Sequence, residues 1–222
     1  MRCNSARGVR RIKKSASLNY QFASNILESK RKKKDNINLM NDKDVEIKIF
    51  GVANDSIVDG PGLRYSIYTQ GCSHHCKGCH NPESWSFDGG QTTTVGALVG
   101  DVMKNKLINN VTLSGGDPFD QAKPVASLVR QLVKSGYKIW AYSGYTFEEL
   151  ENKAEDDSDI QTILDNIEVL VDGRFEENKK SLSLKWRGSS NQRVIDMIKT
   201  KEEGKIVLFE EKCEIDQIPP NW

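Results

Sequence analysis

Leu63-Arg64-Tyr65-Ser66-Ile67-Tyr68-Thr69-Gln70, followed by Gly71-Cys72-Ser73-His74-His75-Cys76-Lys77-Gly78-Cys79-His80, is a strand-like run that ends in three cysteines at C-x3-C-x2-C spacing. Tyr, Ile and Thr favour a pleated, extended backbone, and the glycine after them lets the chain turn out of the strand. The loop offers three thiolates where a closed metal site needs four. An iron–sulfur cluster is usually held by four Cys thiolates, so a cubane held by Cys72, Cys76 and Cys79 would keep one iron open to a small molecule. Zinc is the alternative, because it accepts three cysteines and one histidine as readily as four cysteines. All three histidines of the chain, His74, His75 and His80, lie in this segment. A zinc knuckle, however, pairs two ligand couples across a longer stretch, and here the thiolates fall within eight residues. Cys3 and Cys213 stand far from the motif without a partner at ligand spacing and read as free thiols.

Downstream, Val111-Thr112-Leu113-Ser114-Gly115-Gly116-Asp117-Pro118 is a short apolar strand running into two glycines, an acid and a proline. Alone this is a common turn. Its place one strand and one helix after the cysteine loop gives it more weight. Together the two segments resemble the radical S-adenosylmethionine (SAM) superfamily, whose three-cysteine loop follows the first strand of a β/α barrel. The resemblance narrows to activating enzymes of glycyl-radical enzymes through Val58-Asp59-Gly60-Pro61-Gly62-Leu63-Arg64 and Cys79-His80-Asn81-Pro82-Glu83-Ser84-Trp85. Trp140-Ala141-Tyr142-Ser143-Gly144-Tyr145-Thr146, Arg187-Gly188-Ser189-Ser190-Asn191-Gln192-Arg193 and Asp117 in place of Glu point to the branch that serves anaerobic ribonucleoside-triphosphate reductase. The likeness runs from about Val45 to about Glu210. Gly78 departs from the superfamily, many of whose members place an aromatic beside the last cysteine.

The resemblance implies a 4Fe–4S cluster on Cys72, Cys76 and Cys79, with SAM bound at the open iron. It places Gly78, His80, Gly115, Gly116, Asp117, Ser143 and Asp172 around the cofactors, Asp117 pairing with the SAM ammonium group. The implied reaction cleaves SAM reductively and leaves a glycyl radical on the reductase, with a flavodoxin or ferredoxin as electron donor in an anaerobic cytoplasm. Two other readings remain open from sequence. One is a different radical SAM enzyme or the activase of another glycyl-radical enzyme such as pyruvate formate-lyase, whose Thr-Asn-Gly and Asp-x-Lys elements are not found here. The other is a non-catalytic zinc-binding module, which leaves the glycine and Arg-Gly-Ser motifs unexplained.

Composition is that of an ordinary globular enzyme: 222 residues, 37% apolar and 28% charged. No apolar run approaches the ~20 residues of a membrane span. Five cysteines, odd in number and clustered for metal, argue for a reducing compartment. The net charge of +1 hides an asymmetry, since residues 1–43 carry twelve Lys/Arg against three Asp/Glu and the remainder 20 against 28. The first segment reads as a basic, solvated extension preceding a radical SAM domain over residues 44–222. Residues 1–27, which hold no acid, also suit a transit peptide; the segment lacks the apolar core of a secretory signal, and its basic runs are a weak candidate for nucleic-acid binding. Met40 stands just before the likeness begins, so residues 1–39 are expected to be an extension outside the domain.

From Val45 onward strand-like and helix-like stretches alternate, the pattern of parallel β/α units. Expected strands are 45–50, 63–70, 111–114, 138–143, 168–172, 193–198 and 205–209. Apolar spacing predicts helices over 95–104, 122–135, 147–153 and 159–165, the second ended by Gly136. The count falls short of eight units, so the expected fold is α/β, an open partial β/α barrel. In such folds the active site lies at the carboxyl ends of the strands. The cysteine loop, Gly115–Asp117, Ser143 and Asp172 all fall there, although Ser-Gly and Asp-Gly pairs also end strands as plain turns. Trp140 and Tyr142 share one side of their strand and read as core.

Overall fold

A computed structural model of the chain describes residues 45–211. The basic segment over 1–43, Cys3 and Cys213 lie outside the described residues. The described part is a mixed α/β structure around one open sheet of seven strands, ordered β3-β1-β2-β4-β5-β6-β7. The strands are β1 (Glu46–Ser56), β2 (Arg64–Thr69), β3 (Gln91–Thr94), β4 (Asn110–Gly115), β5 (Lys138–Tyr142), β6 (Val169–Asp172) and β7 (Arg193–Asp196). The helices are α1 (Val95–Val102), α2 (Ala122–Lys134), α3 (Phe147–Ala154), α4 (Ser158–Asn166) and α5 (Met197–Glu203).

The centre of the sheet, β2-β4-β5-β6, is parallel. Its strands are buried on both faces and therefore read as nearly continuous apolar runs. The flanks are antiparallel, with β1 between β2 and β3 on one side and β7 beside β6 on the other. Alternation along β5 divides the interior. Ile139 and Ala141 join Ile67, Leu113 and Leu170 beneath Val125, Leu128, Val129 and Leu132 of α2 and Ile160 and Ile163 of α4. Trp140 faces the opposite way and packs with Val169, Val171, Trp186 and Phe209. The pair Trp140 and Tyr142 is thus one sheet face, as period-two geometry requires.

Local chemistry sets the ends of the elements. Thr94 caps α1 by accepting from the Ala97 N–H, and Thr146 with Glu149 forms a reciprocal capping box on α3. After α2, Gly136 takes a φ of 87° and the Tyr137 N–H returns to Leu132 O, so this glycine closes the helix. Three expectations differ. Gln91–Thr94 is an edge strand that apolar alternation could not signal, because its residues are polar and its outer side is unpaired. The run 193–198 splits into β7 and the start of α5, which Asp196 caps by accepting from the Ile198 and Lys199 N–H groups. The expected strand 205–209 contributes only an isolated bridge between Leu208 and Ile195.

An ionic clamp holds β6, β7 and α3 together at the carboxyl end of β6. Asp172 is 1% exposed, accepts from the Phe147 N–H at 2.8 Å and pairs with Arg193, whose other guanidinium edge meets Glu148 at 2.7 and 2.9 Å. Arg193 pulls the Glu148 carboxyl down to about 2 from an ordinary 4.5. A depressed carboxylate adds stability above its unfolded value and loses it as pH falls through the folded one. Glu148→Gln is therefore expected to cost about 0.5–1 kcal/mol near neutral pH, since the pair is largely solvated. The gap to the unmodified protein should close as pH falls from 4.5 toward 2. Urea titrations that show the same gap at neutral and at acid pH would mean that the pair is idle.

Candidate functional site

The cysteine loop leaves β2 and lies across the carboxyl ends of the parallel strands. Its start is stitched to the segment after it, with Gly71 N–H donating to Ser84 O at 2.7 Å and Cys72 N–H to Trp85 O at 3.0 Å. The buried Gln70 side chain donates to Glu83 O and Ser86 O and so ties down the same segment. A side chain at Gly71 would strike the Phe87 ring at 2.5 Å, and the residue's φ is +95°, so only glycine fits. Cys79 N–H closes a turn onto Cys76 O at 3.1 Å, which keeps the second and third cysteines on one short arc.

Burial at Cys72 and Cys76 opposes the free thiolate, and backbone N–H groups stand near all three sulfurs. Burial raises the Cys72 thiol to about 11, while the His74 and His75 backbone N–H groups act in the other direction. Burial also raises Cys76, against the Phe175 backbone N–H and the Arg174 charge. The Asn81 N–H donates to Cys79 Sγ at 3.4 Å. Such N–H···S contacts are the means by which a protein supports and tunes an iron–sulfur cluster. Among the described residues no group of three or more His, Cys, Asp or Glu is gathered as ligands of a single metal ion. Thiolates that hold a multi-iron cluster do not need to converge on one point. The donor set of three cysteines with backbone N–H support fits such a cluster.

Behind the loop lies Asp117, with no exposed side-chain surface. Its Oδ2 is paired with His74 Nε2 at 2.8 Å and accepts from Gly144 N–H at 2.8 Å and Ser143 Oγ at 2.9 Å, while Oδ1 accepts from Phe119 N–H at 2.9 Å. One carboxylate thus joins the cysteine loop to the ends of β4 and β5. Around it Ser73 N–H donates to Asp120, the Tyr145 hydroxyl reaches Asp120 and Ser73, and the Tyr145 ring meets His74 edge-on at 4.3 Å. The glycines are consumed by the same packing. A Cβ on Gly116 would lie 2.2 Å from Gly71 O, one on Gly115 2.6 Å from Thr69 N, and one on Gly144 2.2 Å from the His74 ring.

The expected site residues therefore divide. Cys72, Cys76 and Cys79, with Gly115, Gly116, Asp117 and Ser143, come together at one end of the sheet. Asp117, expected from sequence to face a ligand ammonium, is also held by the chain's own donors at both oxygens. Asp172 stands in the clamp with Arg193. Gly78 takes a φ of +76° beside the Glu177 side chain, and the His80 ring lies 5.7 Å from that of Phe175. Sequence reasoning missed His74 and Gly144 as members of the loop support. The signal for His74 was its place inside the C-x-H-x-C spacing, read only as a possible metal ligand.

Beside Cys79 and His80 opens a cavity of about 430 Å³ whose walls include Asp59, Tyr68, Ser114, Tyr142 and Arg187. Asp59 Oδ2 accepts from the Ser56, Ser66 and Tyr68 hydroxyls at 2.6–2.7 Å, and burial together with Asp59 pushes the Tyr68 phenol up to about 12. In the strand that precedes the cysteine loop, the buried Arg64 donates to Thr112 and Val111 O and lies over the Trp140 ring. Burial pulls its guanidinium down to about 10. The cavity floor is therefore polar and fixed, with aromatic walls.

Residues 58–195 match the model of the 4Fe-4S single cluster domain. The anaerobic ribonucleoside-triphosphate reductase-activating protein of Escherichia coli is 37% identical over 152 residues, which cover 62% of this chain and 91% of that protein. Its counterpart in Haemophilus influenzae is 35% identical over 150 residues, covering 61% and 89%. Among solved structures, the crystal structure of QueE from Escherichia coli aligns with a TM-score of 0.37 and 15% identity, over 46% of this chain and 54% of that one. With a cluster-domain match over most of its described length and relatives aligned nearly end to end, this chain belongs to the family of anaerobic ribonucleoside-triphosphate reductase-activating proteins.

Proposed function

We propose that this protein activates anaerobic (class III) ribonucleoside-triphosphate reductase by placing a glycyl radical on it, with a 4Fe–4S cluster and SAM as cofactors. The observation that carries the reading is the position of Cys72, Cys76 and Cys79 in one braced loop at the carboxyl ends of parallel strands, next to a cavity. Three cysteines and a family named for this activation support it over a closed zinc site. In this reading the open sheet is the partial β/α barrel of radical SAM enzymes, and the protein works in an anaerobic cytoplasm with a flavodoxin or ferredoxin donor. Among the described residues no helix is long and apolar enough to cross a membrane.

A reduced cluster held by Cys72, Cys76 and Cys79 would supply the one-electron chemistry for reductive cleavage of SAM to methionine and 5′-deoxyadenosine, with the hydrogen atom coming from a glycine Cα of the reductase. The chain's own residues bind and orient. Cys72, Cys76 and Cys79 would hold the cluster, and the backbone N–H groups at their sulfurs would favour the thiolate form. Asp117, through His74, Ser143 and Gly144, holds the loop in place before any cofactor arrives. The edge formed by Gly115 and Gly116 lets the loop lie directly on β4, and Ser143 and Asp172 fix the neighbouring strand ends. Tyr142, Phe175 and Trp186 give the cavity its aromatic walls. Few acid–base groups are needed, because the cofactor carries the hard chemistry.

Anaerobic reconstitution should give about four irons and four sulfides per chain with the brown colour of a 4Fe–4S cluster. Cys72→Ala, Cys76→Ala and Cys79→Ala should each abolish it, whereas Cys213→Ala should not. Stoichiometric zinc without iron uptake in protein isolated without oxygen would refute the cluster.

Asp117→Ala strands the Gly144 and Phe119 N–H groups and the His74 ring. A lost hydrogen bond to a charged group costs about 1.5–3 kcal/mol, so the melting temperature and the cluster yield should both fall. Gly116→Ala should act in the same direction by driving the Gly71 backbone away. Normal stability and iron content in both variants would show that the loop stands without this support.

The function itself is tested by mixing reconstituted protein, SAM and reductant with a class III reductase or with pyruvate formate-lyase and recording the electron paramagnetic resonance doublet of a glycyl radical. The doublet is expected on the reductase. Its appearance on the formate-lyase alone would overturn the assignment.

A further inference from the structure

Residues 179–187 form a projecting strap beside the cavity. Its base is fixed: Lys180 bridges Ser189, Ser190 N–H donates to Lys179 O at 3.0 Å, and Arg187 Nη1 donates to Gln192 O at 2.7 Å. Trp186, held at a φ of 56°, packs edge-on against Trp140 and Phe209 with ring centroids 5.4 and 6.0 Å away. A loop anchored this firmly presents its tip in a fixed place. At that tip Leu182 is 95% exposed, and Val58, which lines the cavity, and its neighbour Ile57 are each 73% exposed. Leu184, Trp186 and Arg187 on one side and Val58 on the other line the same cavity as Cys79. Exposed apolar residues thus stand beside the cavity on both of these segments.

The strap also carries charge of one sign. Lys179, Lys180, Lys185 and Arg187 fall within nine residues that contain no acid, in a domain whose residues 44–222 hold 20 Lys/Arg against 28 Asp/Glu. Lys179 and Lys185 pair with Glu176 and Glu211 at 2.7 and 2.6 Å. Among the described residues no carboxylate pairs with Lys180 or Arg187. A positive, apolar-tipped element on an otherwise acidic surface complements a partner segment that carries acidic and apolar side chains.

Resting on the function proposed above, we infer that the strap is the element that seats and selects the reductase: Leu182 and Lys180 grip an acidic and apolar stretch flanking its radical glycine, outside the cavity where the chemistry occurs. The test uses the full-length reconstituted protein with Leu182→Asp, Lys180→Glu and the conservative Leu182→Met. Sedimentation should show that the first two weaken binding to the reductase at least about tenfold and that Leu182→Met binds as the unmodified protein does. Cluster content and partner-free cleavage of SAM should be unchanged in all three. Binding of the unmodified protein should weaken as salt is raised, and Lys180→Glu should lose part of that dependence. Affinity and radical yield like those of the unmodified protein in both Leu182→Asp and Lys180→Glu would overturn the inference while leaving the proposed function standing. Loss of a self-association of this chain in those variants, with reductase binding intact, would assign the strap to a second copy and also overturn it. If the unmodified protein binds the reductase through the strap yet never places a radical there, the proposed function falls and the docking surface stands.

Discussion

The carboxylate of Asp117 is the interaction on which the site depends. A charge with no exposed surface is tolerated only when its lone pairs are filled, and here they are filled by donors from three separate parts of the chain: His74 of the cysteine loop, Ser143 and Gly144 after β5, and Phe119 in its own turn. Each donor would lose its partner if its segment moved. Buried polar networks of this kind either bind all members or cost heavily, so the ends of β2, β4 and β5 are locked as one unit. The glycines follow from the same requirement. Gly71, Gly115, Gly116 and Gly144 bring backbone close enough for one carboxylate to reach all of these partners.

A second constraint is the change from parallel centre to antiparallel flanks. Parallel strands deliver all their carboxyl ends to one side, where the cysteine loop, the Asp117 turn and the Ser143 turn meet. The antiparallel pairing of β7 with β6 closes the far flank, and Arg193 turns that pairing into an ionic link with α3. Charge and sheet topology therefore act at the same edge. On the face turned away from the helices, Trp140, Trp186 and Phe209 form a small aromatic cluster that carries the loop bordering the cavity.

Much of this was legible in the sequence. The central strands and α2 showed themselves because they bury one full face or both, which forces apolar runs at period two or stripes at helical spacing. The cysteine loop and the Gly-Gly-Asp-Pro turn were visible as motifs, and their meeting followed from their places after successive strands. Three things were not legible. The edge strand Gln91–Thr94 buries little and so leaves no apolar signature. The helix Met197–Glu203 is too short for periodicity, although Asp196 and Gly204 at its ends were there to be read. The support that Asp117 gives the cysteine loop was hidden, because sequence distance conceals that His74 and Gly144 arrive at its oxygens. Acidic residues after a strand look alike whether they face a ligand or the protein, and only the donors brought by tertiary structure tell them apart.

The cysteine loop is supported by protein groups. Many small metal sites are assembled by the metal, so that losing the ion means losing the fold. Here the arc that carries Cys72, Cys76 and Cys79 is braced by backbone hydrogen bonds to Ser84 and Trp85 and by the Asp117 network, none of which includes a metal ligand side chain. The path of the loop is therefore set by the chain's own hydrogen bonds, independently of what the three sulfurs hold.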